Sequence, residues 1–183
     1  MGLRSIVAVA VLLASLSLPQ WALACSCLWA GPFSRVAPGK DLIVLGEVLS
    51  YYKNSMEMRV IEVIKGTEER KRIRVWGDNG ALCRPYVNHF PIGTKWLLAL
   101  QKTIGEHRPS FWERFFSAPA ESEYAISICG DFWIEVRDER AVGRITVEHH
   151  SNDLEWVPLN EMLTWLRSNG KGLTLSPTPL SAQ

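Results

Sequence analysis

From residue 41 onward apolar runs, some continuous and some alternating every second residue, read as a series of strands. Residues 41–52 are apolar and β-branched with Gly46 inside them, which predicts a long strand with a bulge or sharp bend at the glycine. Lys53-Asn54 is a turn signal. Residues 55–64 alternate through Met56, Met58 and Val60, then shift phase at Ile61 and Val63, as a bulged strand does. These two runs are expected to pair as a hairpin. Residues 72–76 predict a third strand, 94–102 a fourth and 124–129 a fifth, the last from the alternation of Tyr124, Ile126 and Ile128. Between them lie a charged turn at 68–72, a loop at 77–85 rich in Gly, Asn, Asp and Pro, and the turn Pro91-Ile92-Gly93.

A further hairpin is expected from 133–136 and 141–147 across Asp138-Glu139-Arg140. The period then changes. Leu159, Met162, Leu163 and Leu166 have helical spacing, so a helix should start at Pro158 or Asn160 and stop at Gly170. Residues 171–183, with Pro177 and Pro179, read as a mobile tail. Several bent strands followed by a late helix point to a mainly β fold, a small closed or partly open barrel; the OB-fold is one such solution.

The first 24 residues follow other rules. Arg4 precedes an apolar run from Ile6 to Leu18, Pro19 ends it, and Ala22-Leu23-Ala24 fits a signal-peptidase site. Cleavage there would make Cys25 the first residue of an exported protein, extracellular or periplasmic. The run is short for an uncleaved anchor. Acylation of Cys25 is the other outcome, against which Ala22 stands where a lipoprotein signal usually carries Leu; only then would the chain be membrane-attached.

Export changes the meaning of Cys25, Cys27, Cys83 and Cys129. An even number of cysteines in an oxidising compartment favours two disulfides. Four cysteines allow three connectivities, of which Cys25–Cys27 would be a strained short loop. Each of the two would then be tied to a distant partner, fixing a terminus that otherwise frays. Zinc-binding cysteines usually come in pairs about two to four residues apart, and Cys83 and Cys129 stand alone.

Composition narrows the field. The 183 residues carry 20 Lys+Arg against 19 Asp+Glu, so there is no basic footprint for nucleic acid. Hydrophobic residues at 47% and charged residues at 21% describe an ordinary globular chain. No Ser-His-Asp order, glycine-rich phosphate loop or close carboxylate pair stands out. No residue is nominated as catalytic, no cofactor is implied, and the chain is read as a non-enzyme.

The ordered set of Cys25-Ser26-Cys27, 41–48, 60–66, Ala81-Leu82-Cys83-Arg84, Gly93-Thr94-Lys95-Trp96-Leu97-Leu98 and 124–129 resembles the netrin-like domain of the tissue inhibitors of metalloproteinases. The likeness covers roughly residues 25–129. It implies an OB-type five-stranded barrel over 25–130, with the hairpin and helix of 131–170 added to it. It also implies the disulfides Cys25–Cys83 and Cys27–Cys129. In that family the amine and carbonyl of the first residue, here Cys25, chelate the zinc of a metalloendopeptidase. Ser26 would enter the protease's specificity pocket, Cys27 and Leu28 would continue the wedge, and Ala81, Leu82, Cys83 and Arg84 would flank it. The family's third disulfide in this domain and its cysteine-rich C-terminal domain have no counterpart here. Insert 103–122 also has none.

A second class of function stays in view: a non-inhibitory envelope module binding protein or glycan through a barrel face or through the aromatic run 111–116. His149-His150 would point to opposite faces of a strand and so would not share a metal. His89 and His107 read as surface or loop residues. Most of the eight tryptophans are expected in the core.

Overall fold

Residues 42–46 and 96–100 are buried at every position, which a strand in a one-sided sheet would not show. The computed structural model, which describes residues 26–103, 123–147, 154–171 and 174–180, explains why. β1 (Leu42–Tyr52) and β2 (Ser55–Lys65) form an antiparallel hairpin, with Lys53 at φ 53° in its turn. β3 (Arg72–Trp76) pairs with β2, and β4 (Lys95–Thr103) pairs with the other edge of β1 from Leu42↔Leu100 to Glu47↔Lys95. β5 (Glu123–Ala125) lies between them, parallel to β3 and antiparallel to β4. The order β1-β2-β3-β5-β4 closes through β1–β4 into a five-stranded barrel of the OB type.

Closure requires strongly bent strands, and the bends fall where the pattern broke. The β1–β2 register slips at Leu45/Gly46, so that Leu45 faces Glu62 and Gly46 faces Val60. Ile61 is the extra residue, 45% exposed. A Cβ on Gly46 would stand 3.0 Å from Met58 Cε and 3.2 Å from the Arg59 carbonyl oxygen, tight enough to favour glycine at the bend.

β4 gives one edge to two strands. Gln101–Thr103 pair with β5, and Lys95–Leu98 pair with β6 (Trp133–Arg137). Residues 126–132 leave the sheet between these two stretches. β6 continues into β7 (Arg140–Gly143), β8 (Glu155–Pro158) and β9 (Thr178–Pro179), a sheet extension beyond the barrel. The β6–β7 turn has Asp138 and Glu139 at φ 46° and 57°, the left-handed pair that suits a two-residue hairpin. A helix, Leu159–Arg167, follows β8 and buries Leu159, Met162, Trp165 and Leu166; they join one cluster with Phe33, Val44, Leu97 and Ile134. Glu161 in its first turn and Arg167 in its last complement the helix dipole. Asn169 (φ 55°) and Gly170 (φ 72°) end it, with the Gly170 N–H on the Trp165 carbonyl at 3.0 Å.

Several expectations change. The fifth strand is Glu123–Ala125 and not 124–129. Beyond it the Ile128 N–H donates to the Cys83 carbonyl, and Cys129 is bonded to Cys27, so loop and N-terminal segment hold the chain instead of a neighbouring strand. The second strand of the late hairpin stops at Gly143, short of 147. The N–H groups of Ile145, Thr146 and Val147 go to one Glu155 carboxylate oxygen at 3.0, 2.6 and 3.2 Å, while the Thr146 hydroxyl takes the other at 2.6 Å. That satisfies a carboxylate buried to 6% exposure. In the segment expected to be mobile, Thr178 and Pro179 pair with Trp156 and Glu155, and the Leu180 N–H donates to the Leu154 carbonyl. Of the described tryptophans, Trp76, Trp96 and Trp165 are buried, and Trp29, Trp133 and Trp156 are half-buried. Among the described residues no helix is long and apolar enough to cross a membrane.

The β2–β3 connection is latched to β5. Glu68 accepts hydrogen bonds from the Arg70 guanidinium at 2.7 and 2.9 Å and from the Tyr124 hydroxyl at 2.7 Å. The Arg70 bonds hold the Glu68 carboxyl down to about 2, against the opposing effect of burial. Burial first, and then the hydrogen bond to Glu68, push the Tyr124 phenol up to about 12.

Candidate functional site

Loop 77–85 is folded by its own short polar side chains. Asp78 Oδ1 accepts the Leu82 N–H at 2.9 Å and Asn79 Oδ1 accepts the Ala81 N–H at 3.1 Å. The Asp78 N–H bonds the Pro85 carbonyl at 3.0 Å and closes the loop. A Cβ on Gly77 would stand 2.6 Å from that same oxygen, so the closure requires glycine. The Arg84 N–H reaches the Leu82 carbonyl at 2.8 Å, a sharp turn centred on Cys83. Ala81 is exposed, and Leu82, Cys83 and Arg84 are half-buried.

The N-terminal strip lies across loop 126–132. Cys27 is bonded to Cys129 with their Cα atoms 5.7 Å apart. The Ala30 N–H donates to the Cys129 carbonyl at 2.6 Å, and the Asp131 N–H donates to the Gly31 carbonyl at 3.1 Å. Gly31 has φ +133°, and a Cβ on Gly130 would come within 3.2 Å of the Gly31 oxygen; two glycines let the two backbones approach. Buried Asp131 is ion-paired with Arg144 at 3.0 Å. Beyond the strip, Phe33 is fully buried and its N–H bonds the Arg144 carbonyl, which anchors the strip at its C-terminal end.

Three distant segments therefore meet. The sulfurs of Cys27, Cys83 and Cys129 lie within 4.8 Å of one another, and the Ile128 N–H donates to the Cys83 carbonyl at 3.0 Å. Cys83 is itself in a disulfide, and none of the described cysteines is free. Sulfurs committed in this way are not thiolates, so the trio is not a zinc site. Of the residues expected to form the wedge, Ser26, Cys27 and Leu28 are exposed, with Leu28 at 95%, and they share this end of the barrel with the loop that carries Ala81, Leu82, Cys83 and Arg84. Cys25 lies outside the described residues, as do His107, His149, His150 and the run 111–116.

Alternation and spacing did not point to what stands beside the strip: an open cleft of about 700 Å³. Leu82, Tyr86, Ile128 and Trp133 are among the residues that line it. His89, exposed as expected, stacks edge-on to Phe90 at 5.3 Å and to Trp133 at 5.6 Å. No spacing signal ties residues 82–89 to 128–133. The β4 edge shared by β5 and β6, the Ile128–Cys83 hydrogen bond and the ring contacts of Trp133 bring them together.

The fold and site define a class: an OB-type barrel with a disulfide-tied, exposed N-terminal strip. A scan against protein-family models and a search of curated proteins both returned no match.

Proposed function

We propose that this protein is an exported inhibitor of zinc metalloendopeptidases that works as the tissue inhibitors it resembles do. A protease zinc keeps one position open for water. The amine and carbonyl oxygen of Cys25 would occupy it, Ser26 would enter the adjoining pocket, and the strip through Leu28 would lie along the cleft of the protease. The amine must be neutral to donate its lone pair. Ordinary α-amines titrate at about 7.7 to 8.0, so inhibition should strengthen as pH rises through that range.

The observation that carries this reading is the placement of Cys27. It is cross-linked to Cys129, while Ser26 before it and Leu28 after it stay exposed. A segment ordered before it binds loses less entropy on docking. A second disulfide, from Cys25 to Cys83, would complete the clamp; Cys83 stands beside the first with its sulfur already in a bond.

Mature protein with a free Cys25 amine is expected to inhibit a zinc endopeptidase, and one alanine added before Cys25 should abolish inhibition. Undiminished inhibition by the extended protein would refute zinc chelation. The cleft beside the strip favours the second reading, a non-inhibitory envelope module. Intact mass separates the two, because an acylated Cys25 has no amine to offer.

A further inference from the structure

The cleft beside the strip has a chemistry of its own. Tyr86 is 63% exposed, and with the half-buried Trp133 it gives the cleft two aromatic rings. Trp133 is held in place by Phe90 at 5.7 Å and His89 at 5.6 Å, both edge-on, so the ring is a fixed surface. The lining also carries polar groups. Tyr86, Asn88 and His89 are among the lining residues, and the Tyr86 hydroxyl, the Asn88 carboxamide and the His89 ring nitrogens hydrogen-bond to no described residue. The charged residues there are one of each sign, Asp78 and Arg84, and Asp78 Oδ1 is committed to the Leu82 N–H.

These features select a ligand. Net neutrality gives neither an anion nor a cation an advantage. A purely apolar ligand would strip water from the hydroxyl, carboxamide and imidazole and return no hydrogen bonds. A neutral sugar has both surfaces that the cleft offers: a C–H face that packs on a ring, and hydroxyls that donate to and accept from uncharged groups. The volume of about 700 Å³ lies within the range of small-molecule sites and leaves room for more than one sugar ring.

We propose that this cleft binds a neutral pyranose oligosaccharide, with Tyr86 and Trp133 as stacking surfaces and Asn88 and His89 as hydrogen-bonding partners. The proposal is independent of zinc chelation, since no atom of Cys25 takes part in it.

Calorimetric titration of the full exported protein with chitotetraose and with cellotetraose tests it. At least one is expected to bind at millimolar concentration or tighter and to change the tryptophan fluorescence. Tyr86→Ala should weaken that binding about tenfold, the loss of one stacking contact. Asn88→Ala, at an exposed position, provides a second and structurally mild variant, also expected to weaken binding. No heat with either sugar at millimolar concentration overturns the proposal. So does affinity unchanged in both variants, or tighter binding of an acidic oligosaccharide such as a heparin tetrasaccharide.

Discussion

Removing the Cys27–Cys129 cross-link tests the central feature of the site on two scales. The bond closes a loop with a sequence separation of 102. In the chain-entropy description a loop of that size restricts the unfolded chain by about 4 to 5 kcal/mol at 25 °C. The disulfide at Cys83 already restricts the same chain, and each halving of the effective loop lowers the figure by only about 0.6 kcal/mol. The double variant Cys27→Ser, Cys129→Ser should therefore lose about 3 to 4 kcal/mol, a large share of the roughly 5 to 15 kcal/mol available to a domain. The second scale is local. Without the bond, the strip next to loop 126–132 keeps the hydrogen bonds at Ala30 and Asp131, at 2.6 and 3.1 Å. Urea unfolding gives the first quantity, and amide hydrogen exchange at Ala30 and Asp131 gives the second. Both amides should exchange faster than the barrel amides of β1 and β4. A loss under about 1 kcal/mol, with both amides protected as in the parent, would mean that the backbone bonds alone order the strip, and the clamp argument would fail.

Two further predictions concern buried carboxylates. Because the Glu68 carboxyl is held at about 2 instead of 4.5, its stabilising effect is complete above pH 4.5 and is lost as pH falls through about 2. The loss is at most about 3 kcal/mol and smaller where water screens the pair. Urea midpoints across that range should fall in the parent and flatten in Glu68→Gln; an equal slope in both would sink the assignment. Tyr124, raised to about 12, works at the other end, with its stability lost as pH rises from 10 through about 12. Glu155→Ala should leave the three N–H groups of Ile145, Thr146 and Val147 without their acceptor and cost about 3 kcal/mol, whereas Glu155→Gln keeps one carbonyl acceptor and should cost less. Equal unfolding midpoints for the two variants would show that the retained acceptor stabilises nothing, and the assigned role of Glu155 would fail.

The barrel was legible where side-chain period and backbone bend agree. Gly46 and the phase shift at Ile61 announced the bulges that curve β1 and β2, because a bulge rotates the alternation that burial imposes. The fifth strand was misjudged in length because Ile126 and Ile128 alternate for a different reason. Ile126 is buried while Ile128 is 43% exposed at the cleft, and neither belongs to a ladder. β8 gave no signal because its inward positions are Glu155 and Val157, with the half-buried Trp156 between them. A charged residue facing the core inverts the expected pattern, and only the turn it caps explains its place. At the site, the count of cysteines and their position pointed to a pinned strip, and Cys27–Cys129 is formed. The meeting of Tyr86 with Trp133 at one cleft depends on a long-range strand pairing that no local spacing encodes.

The margin of the sheet has a consequence for how the molecule behaves in company. The barrel closes through β1–β4, and the extension from β6 onward comes to an end at Thr178–Pro179. On β9 itself a foreign strand meets two residues, one of which lacks an N–H to offer. A border that short gives growth of sheet from one molecule to the next little to build on at β9.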